Sequence, residues 1–312
     1  MRSRRVATID LGSNTVRFLC VDVDGTGDWR TVDQSQHVTR LGEGMAASGR
    51  LGEAPMARTA TTVAEYAERA RRLGAGDVRV VATSATREAT NGAEFAAAIE
   101  RATGLAVRIV SGEAEALLTV RGVLRGLRGL GDPLLVFDIG GGSTEFILWR
   151  NGGVAAAISL RLGVVPLTER YPFPDPVEWR RYGEMSSEIR ERLERELPPA
   201  ISGAAAGTLV GTAGTVTTLA ALDLGLADYD AGRVQGHRLT RAAIEIQLRR
   251  LGALPLEGRA ALPCLEPGRA DLIVPGIAIV IATMDRLGVS DLVVSDWSLR
   301  EGIVAELVEG GD

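Results

Sequence analysis

The sequence predicts an α/β protein built of two duplicated halves that face each other across a cleft, and three observations predict it. The stretch Asp10-Leu11-Gly12-Ser13-Asn14-Thr15 returns as Asp138-Ile139-Gly140-Gly141-Gly142-Ser143-Thr144, each time behind an apolar, β-rich run. Strand-like and helix-like segments alternate along 312 residues, a length that suggests two domains rather than one core. Hydrophobic residues make up 46% of the chain and aromatics only 4%, so the interior must be built from Ala, Val, Leu and Ile, as in layered α/β proteins.

Residues 6–9 and 134–137 are apolar and β-branched or aromatic, which suits buried strands. Aligning Asp10 with Asp138 pairs Gly12 with Gly140, Thr15 with Ser143, Arg17 with Glu145 and Phe18 with Phe146, so each copy reads as strand, tight turn, strand. Residues 55–73 have helical spacing, with Arg and Glu outside and Gly74 as the stop. Residues 78–83 read as a strand, 87–91 as the start of a helix, and 95–103 as its continuation or a second helix before Gly104. After a strand at 107–110, Ser111 is placed to cap a helix over 114–124. The glycine-rich segment 126–132 marks the boundary, giving domains 1–128 and 129–312.

The second half repeats the opening hairpin. A proline-broken surface segment, 166–176, then leads to a charged helix over 184–197 whose Glu and Arg form a solvated face. A short strand at 208–210 runs through Gly211-Thr212-Ala213-Gly214-Thr215 into a helix that continues through Leu222. The chain closes with a helix over 270–287, a strand at 291–295 and a helix over 299–308, expected to pack back on the first domain.

All 35 basic residues are arginine. The absence of lysine excludes a Walker P-loop, a lysine Schiff base and a kinase-type lysine, whatever coding bias produced it. A net charge of −5 argues against nucleic acid or an anionic membrane as partner, so any polyanion must be held locally. Cys20, Cys264, His37 and His237 are too few for a disulfide framework, a zinc cluster or a Ser/His/Asp triad. The basic start lacks an apolar stretch with a cleavage site, and the longest apolar run, 272–284, is too short to span a bilayer. A cytoplasmic protein is expected.

The chemistry should lie in the turns. Their glycines let backbone approach a ligand closely, and consecutive free amides form an anion-binding nest. An aspartate just before such a turn would repel a bare phosphate, so it makes sense with a hard cation such as Mg²⁺ between the two. A glycine cluster after a strand is often only a turn; the combination with a second Asp-x-Gly turn, and a third turn at 211–215 leading into a helix N-terminus, is more specific.

At these residues the chain resembles the exopolyphosphatase and guanosine pentaphosphate phosphohydrolase family, within the actin, sugar kinase and Hsp70-like ATPase superfamily. The matching segments are Ile9-Asp-Leu-Gly-Ser-Asn-Thr-Val-Arg17, Ala82-Thr-Ser-Ala-Thr-Arg-Glu-Ala-Thr-Asn91, Val110-Ser-Gly-Glu-Ala-Glu-Ala116, 137–146, 211–219 and Arg269-Ala-Asp-Leu-Ile-Val-Pro-Gly276. They extend the likeness over residues 7–303. The resemblance implies two duplicated actin-like (ribonuclease H-like) domains. It implies that Glu115, the second glutamate of Ser-Gly-x-x-Glu, is the general base, while Glu113 holds a variable position. Asp138 and Glu145 would hold Mg²⁺, directly or through water, with Mn²⁺ as a substitute and Asp10 as a weaker ligand candidate. Arg87 would clamp phosphate. Arg17 sits where the family has another such arginine, a salt bridge to a cleft carboxylate being its alternative. Amides of Gly12, Ser13, Asn14, Gly140, Gly141, Gly142, Gly211 and Gly214 would line the phosphate track, with hydroxyls from Ser143 and Thr144.

Two departures qualify the match. Pro166 stands where family members often have an arginine in the motif at 162–169, so the anion contact that the resemblance would imply there is not expected. Long family members carry further C-terminal helical domains, whereas this chain stops at Asp312, so short polyphosphate chains are the expected substrate. Arg121, Arg125 and Arg128 read as a solvated helix face, or as a basic exit stripe. The leading expectation is therefore an exopolyphosphatase acting on inorganic polyphosphate. Hydrolysis of guanosine pentaphosphate uses the same residues, and guanosine tetraphosphate would be an inhibitor. A rival of another class is a non-catalytic nucleotide- or polyphosphate-binding regulatory module. Homodimers are common among such relatives.

Overall fold

The computed structural model describes residues 4–204 and 207–310. The chain divides into two compact units, Met1–Arg125 with Ser298–Asp312, and Gly126–Trp297. The division after Arg125, rather than at 128/129, has a local cause. The Arg125 guanidinium donates to the Gly27 carbonyl at 2.6 Å and to Asp28 at 2.8 Å and lies over the Trp29 ring, tying the end of its helix to the first unit.

The first unit holds strands β1 (Arg4–Leu11), β2 (Thr15–Val23), β3 (Trp29–Val38), β4 (Asp77–Ala82) and β5 (Val107–Ile109), ordered β3-β2-β1-β4-β5. The first three form an antiparallel meander, and β4 and β5 run parallel to β1. The second unit holds β6 (Leu134–Ile139), β7 (Thr144–Arg150), β8 (Gly153–Leu160), β9 (Thr208–Thr212), β10 (Arg238–Thr240) and β11 (Asp291–Ser295), ordered β10-β11-β9-β6-β7-β8. Without the edge strand β10 the two orders are identical, so the duplication is structural as well as sequential. Both units have the actin-like (ribonuclease H-like) topology that the sequence predicts.

Strand alternation decides what faces what. On β1, Ala7, Ile9 and Leu11 join Phe18, Val63, Tyr66 and Ile99 in a core beneath the helices Glu53–Arg72 and Gly92–Thr103. Val6 points to the other face with Leu19, Val21 and Val304, and nearby Val81, Leu118, Leu299 and Ile303 pack together. The helices Gly112–Gly126 and Leu299–Glu309 supply that cover. In the second unit Leu135, Phe137 and Ile139 of β6 enter a single large core with Met185, Ile189 and Leu193 of the charged helix Trp179–Glu196, and with the almost wholly buried helix Ile273–Leu287.

Several elements differ from expectation. The strands β3 and β8 extend each predicted hairpin by a third strand. Of the two alternatives for 95–103 the second helix is the one found: Ser84–Glu88, which starts before the expected residue 87, and Gly92–Thr103 are separated by an extended Ala89. The helix expected from residue 270 starts at Ile273, after a 3₁₀ turn over Pro267–Arg269. The charged helix starts at Trp179 rather than 184. Among the described residues no helix is long and apolar enough to cross a membrane.

Candidate active site

Alternation carries Asp10 onto the same face of β1 as Val6 and Thr8, away from Ile9 and Leu11. Its register partner on β2 is Arg17, with Nη1 4.0 Å from Asp10 Oδ2. Arg17 thus lies at the outer limit of an ion pair with Asp10, and a guanidinium beside Asp10 makes that carboxylate a poorer seat for a metal.

The turn after β1 is closed from within: the Gly12 amide donates to the Thr15 carbonyl at 3.1 Å, and a Cβ at Gly12 would lie 3.0 Å from the same oxygen. Ser13 Oγ accepts from the Ala85 amide at 3.1 Å, so the turn is docked on the start of the Ser84–Glu88 helix. That helix carries Arg87. Its Nη1 donates to Glu115 Oε2 at 2.7 Å and to the Val110 carbonyl at 3.0 Å. Glu115 lies in the first turn of the Gly112–Gly126 helix, which Ser111 Oγ caps at the Ala114 amide, and it is only 8% exposed. The structure thus joins Arg87 to Glu115, and Arg17 to Asp10.

In the second unit the corresponding level of the sheet is polar across five strands. Ser159, Glu145, Asp138, Thr212 and Ser295 follow one another in register across β8, β7, β6, β9 and β11. Glu145 is 1% exposed, and its Oε1 accepts from Ser143 Oγ at 2.8 Å and from Ser159 Oγ at 2.6 Å. The Ser143 hydroxyl, expected on a phosphate, is directed to Glu145 instead. The Thr144 hydroxyl donates to the Leu162 carbonyl. The Gly140 amide closes its turn on the Ser143 carbonyl at 2.9 Å, as Gly12 does in the first unit. Gly12 and Gly140 are therefore corrected as amide ligands: their donors are spent inside the turns.

The third turn joins β9 to the helix Ala213–Asp223. Gly211 makes room for Phe137, whose ring would lie 2.8 Å from a Cβ there. Gly214 makes room for Arg269: a Cβ would lie 1.7 Å from Nη1. Arg269 is held by Glu266, Nε to Oε2, at 3.1 Å. Ala213 takes a left-handed backbone, φ 68°, which a residue with a side chain rarely adopts.

A family model described as the Ppx/GppA phosphatase family matches residues 20–310. The chain belongs to that family. Exopolyphosphatase 2 of Mycobacterium tuberculosis is 37% identical over 98% of this chain and 99% of its own length. Exopolyphosphatase 1 of Mycobacterium bovis is 30% identical over 96% and 87%. Among solved structures, the Aquifex aeolicus member of the Ppx/GppA family superposes with a TM-score of 0.83 at 32% identity, covering 100% of both chains. An exopolyphosphatase from Cytophaga hutchinsonii gives 0.91 at 25% identity, covering 99% of both. As a Ppx/GppA phosphatase the chain is an enzyme, a hydrolase of phosphoanhydride bonds.

Sequence reasoning about this phosphatase missed three features. Arg269 was visible only as part of a matching segment, and its place against Gly214 depends on a contact between segments far apart in sequence. Ser159 sits on a strand that was not recognised. The segments that hold the first two turns, 39–42 and 163–165, follow the unrecognised third strands; the only available hints were Gly42 and Gly163.

Proposed function

We propose that the chain is an exopolyphosphatase that hydrolyses the terminal phosphoanhydride of inorganic polyphosphate, with Mg²⁺ at Asp138 and Glu145. The observation that carries the reading is the Arg87–Glu115 pair. It places a fixed carboxylate and a guanidinium at the start of a capped helix, in a chain similar to proteins named exopolyphosphatases. Phosphoryl transfer to water passes through a loose transition state, so catalysis is mostly positioning and charge stabilisation. Arg87 fixes Glu115 through Oε2, and Glu115 orients the attacking water and takes its proton as the new P–O bond forms and the bridging anhydride P–O bond breaks, the shortened polyphosphate leaving with that electron pair. The Arg87 guanidinium adds positive charge towards the transferring oxygens.

The residues of the second unit fit Mg²⁺. Asp138 and Glu145 are opposite one another on adjacent strands, and two serine hydroxyls fix Glu145. Mg²⁺ is commonly held by one or two carboxylates, with water and phosphate oxygens completing its shell. Among the described residues no group of three or more His, Cys, Asp or Glu could hold a metal ion, so the proposed site rests on these two carboxylates. When bound, the ion neutralises charge on the phosphate chain. Short chains are favoured because a protein of net charge −5 offers a long polyanion little attraction beyond the site.

The test is phosphate release with Mg²⁺ from short polyphosphate, long polyphosphate, guanosine pentaphosphate and ATP, each beside Glu115→Gln. Release from short polyphosphate that falls by a factor of about 10³ in the variant is expected. Release from guanosine pentaphosphate alone reassigns the substrate. Unchanged turnover in the variant overturns the role of Glu115.

A further inference from the structure

We propose that the backbone segment following the third strand of each unit sets the direction in which its phosphate turn presents amides. Gly163, Val164 and Val165 are then positioning residues in the second unit, and Thr39, Arg40 and Gly42 in the first. The inference rests on the reading of these turns as phosphate-binding.

In the second unit the Val164 amide donates to the Gly140 carbonyl at 3.3 Å and the Val165 amide to the Gly141 carbonyl at 2.9 Å. A trans peptide carries its C=O and its N–H on opposite sides. The cis peptides lie elsewhere, at Asp132-Pro133 and Asp175-Pro176. Two carbonyls drawn towards residues 164 and 165 therefore turn the amides of Gly141 and Gly142 the opposite way, while the Gly140 amide stays on Ser143. The donors offered to an anion are those of Gly141 and Gly142.

Such an approach of backbone to backbone leaves no room for a side chain. A Cβ at Gly163 would lie 2.3 Å from the Gly141 carbonyl oxygen and from the Gly142 carbonyl carbon. Pro166 also finds its reason here. It occupies the first turn of the Val164–Arg170 helix, where an amide has no carbonyl of its own helix to bond, so its missing N–H costs nothing.

The first unit has the same device in a different form. The Gly42 amide donates to the Ser13 carbonyl at 2.8 Å, and the amides of Thr39 and Arg40 both donate to the Asn14 carbonyl at 2.9 Å. The Ser13–Asn14 peptide is thereby turned so that the Asn14 amide points away from this segment. Successive amides converging on one acceptor form a nest, which joins residues of opposite helical hand. That accounts for the left-handed backbone of Arg40, φ 51°. In both units the clamp comes from the chain just after the third strand, β3 or β8.

Two measurements test the proposal. In the full chain with ¹⁵N-glycine, titration with tripolyphosphate should shift the amide signals of Gly141 and Gly142 and leave Gly140 in place. Movement of Gly140 with the other two still overturns it, as does the absence of any shift. The second measurement uses Val164→Pro. Gly163 already has the extended backbone, φ −115° and ψ 166°, that a residue before proline needs, and proline is favoured at a first helical position. The variant should stay folded, with a modestly lower melting temperature because Val164 is part of the core, and raise KM for polyphosphate about fivefold, with a smaller change in kcat. A wild-type KM in the folded variant overturns the clamp. Gly163→Ala, which forces the turn itself to move, should raise KM further. If the wild-type protein releases no phosphate from any substrate while Gly141 and Gly142 still shift, the clamp stands and the hydrolysis reading fails.

Discussion

Glu145 holds two serine hydroxyls on one carboxylate oxygen, and that arrangement gives Ser159 a task at the proposed Mg²⁺ site. Ser159 lies opposite Glu145 on β8 and donates to it at 2.6 Å. Partners that orient a metal-ligating carboxylate commonly carry tenfold or more in metal affinity. With Mg²⁺ at Glu145 as proposed, Ser159→Ala should raise the Mg²⁺ concentration for half-maximal phosphate release about tenfold, with turnover at saturating Mg²⁺ close to wild type. An unchanged Mg²⁺ requirement would separate Glu145 from the metal. At this scale the sequence and its family resemblance singled out Glu115, Arg87, Asp10 and Arg17, but which of them meet is read from the geometry, Arg87 with Glu115 and Arg17 with Asp10. The sequence was not legible where a hydroxyl has a choice of acceptor. Ser143 reads as a phosphate donor in sequence, but its geometry commits it to Glu145.

Elements were legible in proportion to their burial. β6 is buried along its whole length and β1 from Val6 onward, around mostly apolar runs at 6–9 and 134–137, and both were found. β3, with the sequence WRTVDQSQHV, lies at the edge of its sheet and is half exposed, so no apolar run announces it. β8 is likewise an edge strand built largely of small residues. The charged helix Trp179–Glu196 shows a different limit, since its solvated face was read correctly but the pairing along it depends on side-chain geometry. Hydrogen bonds from Arg192, opposed by partial burial and aided by Arg195, hold the Glu196 carboxyl below its ordinary 4.5. A depressed folded-state pKa stabilises the protein above the unfolded value and loses that contribution as pH falls through the folded one. Glu196→Gln should thus lower stability by about 0.5 kcal/mol near pH 7, and the difference should fade in acid, as pH falls through the lowered folded-state value. Urea unfolding at the two pH values measures it; a difference that persists in acid would mean packing, not charge, is responsible.

For the whole molecule, the duplicated turns were enough to predict two halves, but the path by which the chain closes the first half was expected only as the last helix packing back. The helix Leu299–Glu309 belongs to the first unit, and its fit there depends on two glycines. A Cβ at Gly302 would lie 1.8 Å from the Leu118 carbonyl oxygen, and one at Gly122 would lie 2.0 Å from the Ser298 carbonyl oxygen. The Gly112–Gly126 and Leu299–Glu309 helices thus cross with their backbones almost touching. The first of them also carries Glu115 in its opening turn, so the crossing sets the height of the helix that presents the proposed base. Gly302→Ala must push the two helices apart, lifting Leu118 and Ile303 from Val81 and Val304 from Val6. Overpacking of this kind costs about 3 kcal/mol. The expected result is a lower urea midpoint for the first unit, together with a fall in kcat larger than any change in KM, because the displaced group orients water rather than binding the phosphate chain. Loss of stability with kcat intact would show that the start of the Gly112–Gly126 helix is held by the Ser111 cap and the Arg87–Glu115 contact alone, independently of the crossing further along it.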